Sequence, residues 1–307
     1  MDGGSIQGLI SVSQKDLEAC LDVVEHQQQI DGINACIRIH HLKFDGNGRP
    51  LVKALAECLY QYIIDYCISC KSRPADLNTR QATKLTKEAR ELFRHPNISE
   101  DNPDITGEAG EALLFFLNEA ILKAPQVVAK MELKTNHKDE VKGSDGIHMR
   151  WCDKDHVVDF YFGESKLYQS VSKAIGSAID SVDAFHSSEM YKHEFNMVTK
   201  HFKYSDDEIR DAVSQLIRLG EPGAGARINH SCLIGYDWDA FTSDPVSDIT
   251  KHVSDFRAQL VRDSERLAKL LNNRFSSFPR KHLRFEVFFI PFPSVQEFRN
   301  AFNAALD

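Results

Sequence analysis

The hydrophobic positions along the chain switch between helical and strand periodicities. Apolar residues spaced three or four positions apart predict helices in the first part of the chain, at 15–30, 51–69, 84–93 and 106–123. Alternating apolar residues predict a strand at Ile33–Lys43, and the glycine-containing segment Phe44–Pro50 predicts a turn after it. The helix at 106–123 is apolar nearly all round, so we expect it to be buried.

The second part of the chain begins with segments that favour strands, at 126–135, 145–151 and 156–166. Helices are then predicted at 168–187, 189–203, 206–219, 247–275 and 295–306, with strands at 229–236 and 284–290. The order of a helix, three strands and a helix predicts an α/β core with an α-rich surround.

No internal repeat and no linker rich in Pro, Gly or Ser divides the 307 residues. The polar segment at 71–105 is the best candidate for a boundary. We therefore predict an N-terminal strand and helix subdomain, 1–100, packed on a core at 101–307 that has a helical C-terminal part.

Charged residues stand at the ends of two predicted strands. Side chains alternate between the two faces of a strand, so Glu164 and Lys166 share a face with Phe160 and Phe162. The aromatic pair suits a core, and the charged pair follows where the strand leaves it. Asp145 begins the preceding strand, and the short turn between the strands predicts an antiparallel hairpin. That hairpin would bring Asp145 beside Glu164 and Lys166.

Two carboxylates and a lysine at one sheet margin suit the hydrolysis of phosphodiesters. Carboxylates bind Mg²⁺ or Mn²⁺ through oxygen, and the metal polarises a phosphoryl oxygen and acidifies water. A neighbouring lysine can stabilise charge that develops on the phosphate. Asp145 and Glu164 are the candidate metal ligands, and Lys166 is the candidate catalytic lysine. A carboxylate in the first turn of the preceding helix, Glu111 or Glu108, is a candidate third ligand.

The E-x-K pattern is weak evidence when it stands alone. Two other copies occur, at Glu132–Lys134 and Glu140–Lys142. The copy at 164–166 differs because a helix with carboxylates and a Gly-Ser-Asp strand start precede it in order. This order favours an active site over a surface ion pair.

The same motifs resemble the HamA family, the nuclease subunits of Hachiman anti-phage defence systems. The resemblance rests on four segments: GEAGE at 107–111, MELKT at 131–135, KGSDGI at 142–147 and FGESKLY at 162–168. It is strongest over 105–185 and looser through the N-terminal strand, turn and helix and the C-terminal strands.

This resemblance implies a restriction-endonuclease-like fold, in which helices flank a mixed sheet. It also implies metal-dependent DNA cleavage of the PD-(D/E)xK type and a helicase partner, HamB. By motif, Asp145 and Glu164 would bind the metal and Lys166 would be the catalytic lysine. Glu111 would be the helix carboxylate, with Glu108 as the alternative.

The net charge of −8 argues against a simple nucleic-acid binder, but the charge is unevenly distributed. The segment Arg257–Arg284 carries eight lysines and arginines against two carboxylates. On the predicted helix there, Arg262, Arg266 and Lys269 share one face. We predict that this face meets DNA or an acidic patch of the partner, the alternative being a solvated helix face.

The chain has no apolar run of about 18 residues, the length that a membrane span needs. Its start has no secretory signal, and its seven cysteines are scattered without a framework. These features predict a cytoplasmic protein, in a bacterium if the resemblance holds, with no membrane partner.

Two rival functions stay open at this point. The chain could be a binding or regulatory subunit that controls the helicase and cuts no DNA. It could also be a stand-alone nuclease of DNA repair or restriction that needs no partner.

Overall fold

The structure, a computed structural model, describes residues 3–30, 32–74, 76–93, 107–133, 143–218, 220–241 and 246–307. Six strands form one mixed sheet in the order β1-β2-β8-β7-β4-β3. Their bounds are Leu21–Gln29 (β1), Ala35–Leu42 (β2), Ile147–Cys152 (β3), Val157–Tyr168 (β4), Ala226–Asp237 (β7) and Arg284–Phe292 (β8). The short strands Ile217–Arg218 (β5) and Glu221–Pro222 (β6) pair separately.

The four central strands of the sheet run parallel, and the two edge strands are antiparallel to their neighbours. Every side chain of β2 is buried, as is typical of strands covered on both faces. The mixed sheet and the helices around it confirm the predicted α/β class.

Eleven α-helices are found in the part of the chain that the structure describes. In order they are Gly3–Gln7 (α1), Gln14–Cys20 (α2), Val52–Gln61 (α3), Ile63–Cys67 (α4), Thr79–Phe93 (α5), Glu108–Ala120 (α6), Val171–Ser187 (α7), Met190–Lys200 (α8), Asp207–Gln215 (α9), Ile249–Ser276 (α10) and Val295–Leu306 (α11).

Two hydrophobic clusters cover the two faces of the sheet. On one face, α3, α6 and α11 pack against β4, β7 and β8, with Leu113 of α6 and Phe288 of β8 in the same cluster. On the other face lie α7 and α10, where Ile175 and Phe256 are buried with Ile234. A third cluster joins α8 and α9 to the hairpin of β3 and β4.

The predicted helix at 15–30 is wrong beyond Cys20. Helix α2 ends there, and residues 21–29 form β1 instead. Val23 and its neighbours pair with β2 in an antiparallel ladder. Pairing with β2 therefore outweighs the local helical pattern.

The predicted strand at 126–135 is also wrong. Gln126 makes a single bridge to His148 at the edge of β3, and a 3₁₀ helix follows at Lys130–Leu133. The chain turns there because Lys130 is buried against Ser144. Residues 134 and 135 lie outside the described residues.

The predicted domain boundary at residue 100 falls within 94–106, which lies outside the described residues. Strands β1 and β2 precede that point and share one sheet with β8, which comes near the end of the chain. No helix in the described part of the chain combines the length and the apolar character needed to cross a membrane.

Candidate active site

The predicted hairpin places the candidate residues at one end of the sheet. β3 pairs antiparallel with β4, and Ile147 lies opposite Phe162. Both side chains are buried in the core, as the alternation predicted. The backbone N–H of Asp145 donates to the carbonyl of Gly163 at 2.8 Å, so backbone pairing extends to Asp145. The hairpin therefore brings Asp145 beside Glu164, as predicted.

Ser165, which lies between Glu164 and Lys166 on β4, holds the Asp145 carboxylate in place. Asp145 Oδ2 accepts hydrogen bonds from the Ser165 backbone N–H at 2.6 Å and the Ser165 hydroxyl at 2.8 Å. Burial raises the pKa of Asp145, and these hydrogen bonds and the charges of Lys166 and Lys130 only partly oppose that rise. The Asp145 carboxylate thus has a fixed orientation in a poorly solvated place.

Glu164 and Lys166 form an ion pair on the opposite face of β4 from Ser165. Lys166 Nζ lies 2.5 Å from Glu164 Oε1, and the two side chains are 21% and 12% exposed, respectively. Burial and the negative charge of Asp145 raise the pKa of Glu164 to about 7, although Lys166 and the Ser181 hydroxyl lower it. Burial lowers the pKa of Lys166, but the neighbouring Glu164 carboxylate has the larger effect, so the lysine pKa is raised overall.

These charges define what the site can bind. Two half-buried carboxylates repel each other, and one lysine compensates only one of them. The unbalanced negative charge and the oxygen donors of Asp145 and Glu164 fit a hard divalent cation such as Mg²⁺ or Mn²⁺.

The predicted third carboxylate comes from the helix on the other side of β4. Gly110 of α6 lies so near the strand that a Cβ on it would be 3.1 Å from Ser165 Oγ. In the next position, Glu111 Oε2 accepts a hydrogen bond of 3.0 Å from the hydroxyl of Tyr66. Burial, Glu111 and Asp145 all raise the pKa of Tyr66, so both carboxylates act on the same buried hydroxyl.

Glu108 is also half-buried, one turn before Glu111. Among the described residues, no three His, Cys, Asp or Glu side chains are grouped closely enough to hold a metal ion. The structure therefore assembles two of the predicted carboxylates with the lysine, and the role of the helix carboxylate stays a prediction.

Sequence reasoning missed a buried ion pair directly behind Asp145. Lys130 Nζ lies 2.6 Å from Glu194 Oε1 and donates to the carbonyl of Ser144. Glu194 also accepts from the Ser144 backbone N–H at 3.0 Å and from its hydroxyl at 3.0 Å. Gly143 has φ 114°, and a Cβ there would overlap Glu194 Oε1. We call Lys130, Ser144 and Glu194 the Ser144 clamp.

The Gly-Ser before Asp145 was the only local sign of the Ser144 clamp. Glu194 is far away in sequence, on α8, and nothing in its own neighbourhood marks it. The Ser144 clamp holds the backbone directly before Asp145 in place. Burial raises the pKa of Asp145, and the positive charge of Lys130 partly offsets that rise.

A model of the HamA family matches residues 18–306, which is nearly the whole chain. The chain belongs to the HamA family. Membership makes it a protein of Hachiman anti-phage defence, a system in which it has a partner. No curated protein matches the chain.

The predicted DNA- or partner-binding face of this HamA chain lies on α10. Arg262, Arg266 and Lys269 are exposed, but Arg266 Nε lies 2.6 Å from Asp263 Oδ1. Further along the basic segment, Arg274, Arg280 and Arg284 pair with Asp180, Asp183 and Asp155. Carboxylates thus compensate half of the eight basic side chains, and binding by this face stays a prediction.

Proposed function

We propose that this HamA-family chain is a metal-dependent deoxyribonuclease, the cutting subunit of a two-component defence complex. The observation that carries the proposal is the placement of Asp145 beside the Glu164–Lys166 pair at the end of the β3–β4 hairpin. Burial and mutual repulsion raise the pKa of Glu164 to about 7, as is common for carboxylates at functional sites.

Asp145 and Glu164 would hold Mg²⁺ or Mn²⁺ through their carboxylate oxygens. A bound divalent cation supplies Lewis acidity at the phosphoryl oxygen, the chemistry that phosphodiester hydrolysis requires. Ser165 keeps the Asp145 carboxylate in one orientation through two hydrogen bonds. The ion pair with Glu164 fixes the position of the Lys166 ammonium. In that position the ammonium would stabilise negative charge on a phosphate.

We further propose that the partner is the helicase HamB and that DNA is the substrate. The net charge of −8 and the compensated arginines of α10 support a chain that leaves much of its DNA binding to a partner. The cleavage experiment below also separates this function from its two rivals.

The test is the degradation of plasmid DNA with Mg²⁺ or Mn²⁺, with and without the helicase and ATP. Glu164→Gln and Lys166→Met should each lower cleavage by about a hundredfold or more, as loss of one transition-state contact does. The matched control is Lys87→Met, which removes an exposed lysine 3.8 Å from Glu91 on α5 and should leave cleavage unchanged. Circular dichroism and thermal unfolding verify that the variants fold.

Equal cleavage by wild type and both site variants would overturn the assignment of the site. A wild-type chain that never cuts and still binds the helicase would be the regulatory subunit. Brisk cleavage of duplex DNA by the lone chain would support the stand-alone nuclease. Calorimetry adds a direct check, since Mn²⁺ binding should be lost in Asp145→Asn.

A further inference from the structure

A cavity of about 390 Å³ opens at the end of β4, starting at the residue after Lys166. Its walls are the last residues of β4 and the first turns of α7 and α11. The volume lies within the range of roughly 300–1,000 Å³ typical of small-ligand pockets. We call it the β4-end cavity.

The charged side chains that line the β4-end cavity are both cations, Lys173 and Arg299, and no carboxylate is among its described lining residues. Arg299 Nη2 donates to the Leu167 carbonyl at 2.9 Å, which holds the guanidinium at the wall. Lys173 is exposed, and among the described residues no carboxylate lies within ion-pairing distance of it. An anion entering the cavity would therefore meet two positive charges.

The backbone at the start of α7 also favours an anion in the β4-end cavity. The helix has 17 residues and begins at Val171, directly after its N-cap Ser170, which lines the cavity. Ser170 Oγ accepts from the Lys173 backbone N–H, and the positive end of the helix dipole at this turn favours anions. Lys173 belongs to that turn, so its positive side chain and the start of α7 both attract an anion to the same part of the cavity.

Tyr168 supplies an aromatic surface to the β4-end cavity. It is 39% exposed, and its hydroxyl lies 3.3 Å from Ser177 Oγ on α7, which holds the ring in place. Strand alternation puts Tyr168 on the same face of β4 as Glu164 and Lys166. The Tyr168 side chain also lies within electrostatic range of Lys166.

We propose that the β4-end cavity binds one nucleotide of a single-stranded DNA substrate, next to the phosphodiester that Lys166 contacts. Lys173 and Arg299 bind its phosphate, and its base stacks on Tyr168. A base drawn into the cavity to stack on Tyr168 must leave its complementary strand, so the cavity selects an unpaired strand. The proposal rests on the proposed nuclease function and specifies its substrate.

The test measures binding in the absence of divalent metal, so that cleavage plays no part. A labelled twelve-residue deoxythymidine oligonucleotide is titrated with the full chain, and fluorescence anisotropy is recorded at several salt concentrations. Lys173→Gln should weaken binding by about tenfold at low salt and lower the salt-dependence slope by about 0.7, the loss of one phosphate contact to a single strand.

Tyr168→Ala should weaken binding by about tenfold, whereas Tyr168→Phe keeps the stacking surface and should bind within about twofold of wild type. The matched control is Lys154→Gln. This exposed lysine lies in the turn at the other end of the β3–β4 hairpin and should leave binding unchanged.

Unchanged binding in Lys173→Gln and Tyr168→Ala would overturn the proposal, as would equal weakening by Lys154→Gln. Absence of oligonucleotide binding by wild type, or equally tight binding of a blunt duplex, would also overturn it. The proposed nuclease function fails separately: binding that maps to the cavity without cleavage in Mg²⁺ or Mn²⁺ would leave the nucleotide site standing alone.

Discussion

Lys130 and Glu194 meet 2.6 Å apart in the protein interior, although 64 positions separate them in the sequence. Both side chains are buried, and both also bond to Ser144. Such a pair contributes little net stability when complete, but loss of one partner leaves an uncompensated buried charge. The pair therefore links the folding of α8 to the position of Asp145.

Replacing one member of the pair should destabilise the protein strongly. We expect Lys130→Met to lower the free energy of unfolding by about 3–5 kcal/mol, since the Glu194 carboxylate is left buried without its cation. Adding Glu194→Gln should recover part of the loss because the glutamine carries no charge. Urea unfolding followed by circular dichroism measures both variants. A loss below about 1 kcal/mol for Lys130→Met would contradict the buried pair.

One glycine beside the Ser144 clamp should tolerate no side chain. Gly143→Ala places a Cβ against Glu194 Oε1 at a residue with φ 114°, so we expect destabilisation by more than about 1 kcal/mol and reduced nuclease activity. Gly176→Ala is the matched control, because no atom lies within 4 Å of its Cβ and it sits inside α7. It should stabilise by about 0.5–1 kcal/mol. Thermal unfolding of the two variants decides, and shifts in the same direction would refute this account.

The sequence alone predicts that Asp145, Glu164 and Lys166 lie together, because this placement depends only on local rules. A period of two along β4 puts Glu164 and Lys166 on one face, and a short turn returns the chain so that Asp145 comes alongside. Neither step needs information from distant residues. The α/β class followed in the same way from the order of helices and strands.

The Ser144 clamp and strand β1 could not be predicted in this way, because they depend on contacts between residues that are distant in the sequence. Glu194 reaches Ser144 from a separate helix, and β1 becomes a strand because β2 is available for pairing. A buried lysine such as Lys130 also looks like an ordinary surface residue in a sequence, since its partner is invisible there. Periodicity says which face a residue occupies and leaves open what packs against that face.

A buried pair of histidines should make stability depend on pH. His230 Nε2 lies 2.8 Å from His186 Nε2, and burial lowers the pKa of His230 to about 3. Between that value and the unfolded value of about 6.5, the unfolded chain binds more protons, so stability rises with pH in this window. We expect His230 alone to remove about 2 kcal/mol of stability on going from pH 7 to pH 5.

The comparison is urea unfolding of wild type and His230→Gln at pH 7 and pH 5. The variant keeps a hydrogen-bonding group towards His186 and should lose about 2 kcal/mol less than wild type between the two pH values. His201→Gln, at an exposed position after α8, should behave as wild type does. An unchanged pH slope in His230→Gln would contradict the prediction, because it would mean that folding does not lower the pKa of this histidine.

The choice between Glu111 and Glu108 as the helix carboxylate is open to a direct test. We predict that Glu111 has this role, because Tyr66 donates to it and the charges of both Glu111 and Asp145 raise the Tyr66 pKa. We expect Glu111→Gln to lower plasmid cleavage by about tenfold and to raise the Mn²⁺ concentration needed for half-maximal activity, as loss of a charged metal contact does. Tyr66→Phe should give a smaller loss of the same kind, because it removes only the hydroxyl that orients Glu111. Glu108→Gln should keep cleavage within about twofold of wild type, whereas a larger loss there than in Glu111→Gln would assign the role to Glu108.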